Sequence, residues 1–398
     1  MKQISCWEQL SQVETAKAGE IFRDYLRGIV RSTYYDIMLE EVEALCGEKY
    51  FQRNMSEFMR AGSAKGVCIL NGKREKVKRP RVRKKTGSTS KEYKLKTYEA
   101  GKNGDEVQTM ILKAFLAGVS ARDQKELYSE SPFTSKSSVS RLWVTKGIEK
   151  LEELRSRDIS EDDFFALMLD GITLGNDLTA IVALGIMVDG KKKILDFHIG
   201  STESSEVCND LLTRIHRRGF RSERRLLCIL DGSKALKKST LKRYPDAVIQ
   251  RCTIHKERNI RSYLSKKHHG ELAEKFKTLR KMEGETDARE AYNDLRAFLK
   301  AKNRAALESF DETGESLIAL QLLNVPATLN KSLLSTNLIE NSFRNVRAKI
   351  GRVKRWRPET DQPSRWMAYA LLEAEKGFCR IKGYRDIASL ILKLKRSD

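Results

Sequence analysis

Apolar residues recur at helical spacing through IFRDYLRGIVRSTYYDIMLEEVEAL, which contains no Pro and no Gly beyond Gly28, so residues 20–60 are expected to be mainly helical. The pattern then breaks into short extended runs on either side of Asn71-Gly72, in KGVCILNGKREKVKRPRVRKK, and predicts a hairpin. KKTGSTSKEYK, which follows, reads as a loop. Helical periodicity returns over residues 105–155. DEVQTMILKAFLAG is an amphipathic helix, Gly118-Val119-Ser120 a tight turn, ARDQKELYSE a short helix and SSVSRLWVTKGIEKLEEL a longer one. Ser137 or Ser138 is expected to cap the last of these.

From Glu161 the periodicity changes to that of strands. FFALMLDGI ends in Asp170, LTAIVALGIMVDG follows, and Asp189-Gly190 turns the chain into KKILDFHIGS. SSEVCNDLLTRIHRRGF is helical, RRLLCILDG is a fourth strand ending in Asp231, SKALKKSTLKRY is a helix and DAVIQRCTI a fifth strand. The order β-β-β-α-β-α-β, hairpins first and crossovers later, predicts a ribonuclease H-like mixed sheet of the α/β (α+β) class. Residues 255–330 carry almost no strand signal and read as an all-helical insertion. A helix starting near Ser335 and carrying Glu340 then brings the chain back. The expected domains are an N-terminal helical region (1–60), a basic β-hairpin region (61–104), a helix-turn-helix (105–157), a first part of the core (158–254), the insertion (255–332) and a second part with basic helices (333–398).

Charge decides what such a chain meets. With 398 residues, 33% of them charged and a formal net charge of +22, it is expected to bind a polyanion, since each Lys or Arg set on a phosphate releases condensed counterions. No run of about 18 apolar residues suggests a membrane span, and MKQISCWEQLSQVE lacks the apolar stretch of a signal peptide. The seven cysteines are scattered without paired Cys-x-x-Cys motifs, as expected of reduced thiols in a cytoplasmic protein. Nine Lys or Arg lie between Lys73 and Lys85 against Glu75 alone. They form either a solvated tail or a folded ribbon on DNA, with Lys78, Arg79, Arg81 and Arg83 as contacts. The helices at 105–155 form either a plain bundle or a helix-turn-helix that sets Ser137, Ser138, Ser140 and Arg141 near base edges.

The chemistry centres on three acids. Asp170 and Asp231 each follow an apolar run and precede Gly; singly each could be a turn residue. On the first and fourth strands of one sheet they become neighbours, and Glu340 on the returning helix makes a third. Three converging carboxylates repel unless a divalent cation neutralises them, and an all-oxygen set suits Mg²⁺ or Mn²⁺, with two ions expected. Two such ions can activate an oxygen nucleophile and steady the leaving oxyanion of a phosphodiester. Cys252 and His255 lack a second half-site for zinc. They are either a structural pair or bring His255 to the cleft. Trp356 and Trp366 either stack on an unpaired base or pack in a core.

The runs LDGI, GIMVDGKKKILDFHIGSTESSE, RRGF, CILDGSKAL, YPDAVIQRCTIHKERNI and STNLIENSFRNVRAKIGR together resemble the mutator family of bacterial insertion-sequence transposases, over roughly residues 20–385. The resemblance implies a DNA transposase with a ribonuclease H-like core and a helical insertion. It would bind the terminal inverted repeats of its element and target DNA, cleave and transfer strands, and act as a homodimer on paired ends. By position it implies Asp170, Asp231 and Glu340 as the catalytic, metal-binding triad, and Cys252 and His255 as the family's Cys-x-x-His signature. Where that family carries Trp, five residues after Glu203, this chain has Cys208. The basic run Arg344, Arg347, Lys349 after Glu340 is expected to hold DNA beside the acids. Two other readings compete: a transposase-derived DNA-binding regulator without catalysis, which would not need all three acids, and a nuclease or resolvase for branched DNA, which would not need the large N-terminal region.

Overall fold

The computed structural model describes residues 15–49, 57–70, 72–86, 89–120, 122–127, 133–175, 178–200, 205–351, 353 and 355–396. They fall into two compact units, Met1–Trp143 and Val144–Asp398.

In the first unit helix α1 (Thr15–Cys46) precedes strands β1 (Phe58–Leu70), β2 (Lys73–Thr86) and β3 (Thr89–Tyr93), which form an antiparallel sheet in that order. Gly72 takes φ 84°, the left-handed conformation that a two-residue hairpin turn demands. The part of KKTGSTSKEYK expected to be a loop contains β3 instead. Val82 pairs with Tyr93 and Arg83 with Glu92, so the run is held as a strand by its partner rather than by its own polar composition. Met38, Val42 and Cys46 of α1 bury against Cys68, Val77 and Val82 of the sheet. Glu41 on α1 accepts from the backbone N–H groups of Lys96 and Thr97 at 2.7 and 2.9 Å, and so starts α2 (Lys96–Asn103), a helix that periodicity did not announce.

Helices α3 (Asp105–Ala117), α4 (Asp123–Leu127) and α5 (Lys136–Ser156) follow, and α5 runs across the division between the units. Val107 and Ile111 of α3 and Val139 of α5 form a shared core. The cap of α5 is Ser135, not Ser137 or Ser138: its Oγ accepts from the Ser138 N–H at 3.1 Å, because the helix begins at Lys136.

The second unit holds a five-stranded sheet built from β4 (Phe164–Leu174), β5 (Leu178–Met187), β6 (Lys192–Gly200), β7 (Leu227–Leu230) and β8 (Val248–Arg251). The spatial order is β6-β5-β4-β7-β8, with β4, β5 and β6 antiparallel and β7 and β8 parallel to β4. Helices α6 (Ser205–Arg217) and α7 (Lys234–Arg243) cover one face, where Leu211, Leu212 and Leu236 meet Leu167, Leu169 and Leu230. Cys208 is buried in this core.

Two sequence expectations shift here. Asp170 does not end its strand: β4 continues to Leu174 because residues past Asp170 pair with β5, Gly171 with Ile181 and Leu174 with Leu178. The fifth strand stops at Arg251, and Cys252 instead caps helix α8 (Thr253–Arg261), its Sγ accepting from the His255 N–H at 3.4 Å.

Helices α9 (His269–Lys281), α10 (Glu285–Lys302) and α11 (Arg304–Asp311) continue from α8 and share a core of Leu272, Phe276, Leu295, Leu299 and Phe310. The chain then returns to the sheet with α12 (Asn337–Ile350), α13 (Gln362–Glu375) and α14 (Ile387–Lys393). Where it leaves and re-enters, the ends are stitched together. The N–H and Oγ1 of Thr253 both donate to the Leu334 carbonyl at 3.0 Å, and the Thr336 N–H donates to Cys252 Sγ at 3.4 Å. Among the described residues no helix is long and apolar enough to cross a membrane.

Candidate active site

The parallel ladder between β4 and β7 ends at the pair Leu169–Leu230. The next residue in the chain after each of these leucines is an aspartate, so Asp170 and Asp231 leave the same end of the ladder side by side. Since alternate side chains point to opposite faces, Asp170 projects away from the face that Leu167 and Leu169 give to α6 and α7. It is only 4% exposed. Its Oδ1 accepts from the Gly171 N–H at 2.9 Å, whereas Oδ2 is buried with no hydrogen-bond partner. Burial, opposed by His255 and by the nearby Thr336 hydroxyl and reinforced by Asp231, pushes the Asp170 pKa up to about 7. A desolvated carboxylate oxygen without a donor is costly, and a cation is what such an atom lacks.

Asp231 is held differently. β7 ends before it, and its Oδ1 accepts from the Ser233 N–H at 2.9 Å, turning the chain into α7. Glu340 sits in the first turn of α12, where Oε1 accepts from Thr336 Oγ1 at 3.4 Å and lies 3.4 Å from His255 Nε2 and 3.9 Å from Arg258 Nη1. One ligand atom each from Asp170, His255 and Glu340 lies within 4.8 Å of the others. Asp231 does not join that tight set, although its charge reaches Asp170.

His255 is positioned by a buried hub. Cys252 Sγ accepts from the His255 N–H and the Thr336 N–H, and the one Thr336 hydroxyl proton is shared between Glu340 Oε1 and Cys252 Sγ, 3.5 Å away, with His255 Nδ1 3.3 Å from the same oxygen. Burial raises the Cys252 thiol, but its hydrogen bonds to His255 and Thr336 outweigh that and the net shift is downward. Hydrogen bonding to Cys252, with the charges of Asp170 and Glu340, holds His255 up at about 9 against the opposing effect of burial. At neutral pH the imidazole is therefore a cation beside the carboxyl groups of Asp170 and Glu340. The oxygens of Asp170, Glu340 and Asp231 fit a hard divalent cation, and the unpartnered Asp170 Oδ2 is the atom that cation would satisfy.

The basic residues separate into two groups. Lys78 and Arg83 are exposed, but Arg79 and Arg81 both reach Glu92 on β3, at 3.0 and 3.1 Å, and Arg79 lies over the Tyr98 ring. Lys65, which sequence reasoning passed over, stands directly opposite Lys78, and Lys76 is exposed on the same strand as Lys78. Like charges in direct cross-strand register repel and so favour an external anion. Ser138 is half-buried with its Oγ 2.8 Å from Ser135 Oγ, while Ser137, Ser140 and Arg141 are exposed. On α12, Arg344 and Arg347 are exposed and Lys349 is half-buried; Arg352 and Lys354 lie outside the described residues. Trp366 is buried in α13, and the Trp356 ring covers Gly175 at the end of β4, where a Cβ would lie 2.8 Å from Trp356 Cδ1.

Thr336, fully buried and bonded toward Cys252, His255 and Glu340, was also not singled out from sequence. Its one signal was its place just before the Glu340 helix.

Comparison with known proteins brings in a family. Residues 1–380 match the family described as Transposase, Mutator family. The chain is 27% identical over 254 residues to the transposase for insertion sequence element IS905 of Lactococcus lactis subsp. lactis, a match that spans 62% of this chain and 63% of that protein. To the transposase for IS1201 of Lactobacillus helveticus it is 26% identical over 333 residues, 81% of this chain and 87% of the relative. To the transposase for IS6120 of Mycolicibacterium smegmatis it is 28% identical over 286 residues, 70% and 86%.

Proposed function

Because this chain belongs to the Mutator family of transposases, we propose that it binds the terminal inverted repeats of an insertion sequence, as a dimer on paired ends, and catalyses phosphodiester hydrolysis and strand transfer with Asp170, Asp231 and Glu340. The observation that carries this reading is the buried carboxylate of Asp170, whose Oδ2 has no hydrogen-bond partner, which offers one oxygen within 4.8 Å of Glu340 and lies beside a neighbouring-strand aspartate. The sheet is read as ribonuclease H-like, supported by three antiparallel strands followed by two parallel ones reached through helices. Helices α3 to α5 are read as a helix-turn-helix, supported by their short connections and the exposed Ser140 and Arg141.

Asp170, Glu340 and Asp231 would hold Mg²⁺ or Mn²⁺, which when bound supplies activation of the attacking oxygen and charge for the leaving one. The chain's own residues do the rest. Thr336 orients the Glu340 carboxylate through Oγ1. His255, held protonated, donates to a non-bridging phosphate oxygen and offsets the charge that gathers there. Burial of Asp170 keeps water from competing for its carboxylate. The direct test is incubation with Mg²⁺ and end-labelled DNA from the flanks of its own element. Cutting at the element ends is expected, and intact DNA under conditions where the protein binds it would overturn the catalytic reading.

On α12, Arg344 follows Glu340 by one helical turn and is exposed, so the two share a face. Arg344→Ala is expected to slow cleavage at saturating DNA by about tenfold or more, since a shift of about 1 Å in the scissile phosphate can cost roughly a hundredfold. The dissociation constant should move by less than about tenfold, because many other cations share the DNA. Lost affinity with an unchanged saturated rate would make this helix a docking surface only.

In the first unit, Lys65→Gln combined with Lys78→Gln should lower the log–log salt slope of DNA binding by about 0.9 for each phosphate no longer neutralised. Arg79→Gln should have a smaller effect on that slope, since Glu92 already neutralises it. Equal effects at the two places would contradict this division of the basic strand.

A further inference from the structure

Beside the acids lies a second concavity that their chemistry leaves unused. It encloses about 210 Å³ at the carboxyl ends of the parallel strands β7 and β8, the end at which α/β sheets take ligands. Leu230, Gly232 and Ser233, which bracket Asp231 in the chain, form one wall. Lys237 and Arg251 line it from the core, and Glu312 and Ser316 from the helical insertion.

The polar groups here converge on an anion. The cavity lies at the N-terminal end of α7, a ten-residue helix whose first turn is capped by Ser233. Arg251 donates through Nη1 to the Gly232 carbonyl at 2.7 Å, yet its Nε is buried with no acceptor. A buried guanidinium N–H left unpaired is costly until an acceptor arrives. Gly232, at φ 122°, makes this placement possible, since a Cβ there would fall 1.7 Å from Arg251 Cζ. Lys234 is drawn to Glu312 at 3.4 Å, but the Lys237 ammonium has no ion pair or hydrogen bond among the described residues. Lys234, Lys237 and Arg251 therefore face Glu312, with the charge of Asp231 also reaching Arg251, so the cations still outnumber the carboxylates.

We propose that this cavity binds a backbone phosphate of the DNA strand next to the reacting one, held by Lys237, Arg251 and the α7 N-terminus, so that the helical insertion helps to fix the strand through the wall it contributes. The inference rests on the transposase reading and gives that reading a specific second anchor for its substrate. A phosphate seated one or two residues from Asp231 would fix the register of the strand relative to the acids, which the acids alone do not do.

The test uses the full chain and DNA carrying a neutral methylphosphonate at single positions flanking the cleavage site. Lys237→Gln, a change at an exposed side chain, should slow cutting of unmodified DNA by about tenfold. One methylphosphonate position should slow the wild type similarly, and at that position Lys237→Gln should add nothing. In binding, the variant's salt slope should fall by roughly 0.7–0.9. A variant with wild-type cutting and an unchanged slope, or one whose defect adds to every methylphosphonate, overturns the proposal. A wild type that binds DNA without cutting it counts against catalysis, and the slope then decides the phosphate site separately.

Discussion

Alanine at Asp170, Asp231 or Glu340 is expected to reduce Mg²⁺-dependent strand cutting on the order of 10⁴-fold, equivalent to about 5.5 kcal/mol of barrier. DNA affinity should stay within a few-fold of wild type, because the chain's excess of positive charge lies elsewhere. The three variants are not equivalent tests. Asp170 and Glu340 approach each other closely with His255, and losing either removes an oxygen from the tight set. Asp231 stands outside it, tied to Ser233, and matters only if the bound cation draws its free oxygen inward. Single-turnover cutting and gel-shift titration of each variant, beside the wild type, measure both quantities. An Asp231→Ala protein that cuts at the wild-type rate would confine the centre to Asp170, Glu340 and His255.

A second large effect concerns stability without metal. The Asp170 carboxyl sits at about 7 in the fold against 3.8 for an ordinary aspartate. Between those values the folded chain keeps a proton that the unfolded chain has released. Stability should therefore fall as pH rises from about 4 to about 7, by up to roughly 4 kcal/mol from this group. His255 adds to the decline at higher pH: its raised value gives stability that is complete below about 6.5 and fades toward about 9. Asp170→Asn removes the first effect. At pH 8 in chelator it should unfold on the order of 10 °C above wild type, and at pH 4 the two should coincide. Mg²⁺ at pH 8 should raise the wild-type transition and leave Asp170→Asn nearly unmoved, since a cation that binds the ionised carboxylate binds the folded state alone. Parallel melting curves across this pH range would mean that Asp170 is not the strained group its burial indicates.

Much of the architecture was legible because it depends on short-range pattern. Short apolar runs bounded by turn residues marked the five strands of the second unit, and Gly72 marked the hairpin turn. What the sequence concealed depends on partners distant in the chain. Asp170 reads as a strand end, but β5 carries the strand beyond it. The charge run at 73–85 reads as uniformly available, but Glu92 on β3 occupies two of its arginines. Cys252 and His255 read as an isolated pair because Thr336, which completes their hydrogen bonding, lies 84 residues after Cys252. Ser135 rather than its neighbours caps α5 because a cap is fixed by where the backbone leaves the extended state, which a row of serines does not reveal.

The paired bonds between Thr253 and Leu334 and between Cys252 and Thr336 have a consequence for how such chains can diverge. They close the helical excursion at its root, so the entry point of the Glu340 helix is set there and not by the segment's far end. The entropic cost of closing a loop grows slowly with its length, about 0.6 kcal/mol per doubling. Lineages can therefore lengthen, trim or exchange the excursion while the acids keep their geometry. Sequence spacing between the second and third acids then carries little weight as a mark of kinship, and the residues at the closure carry more.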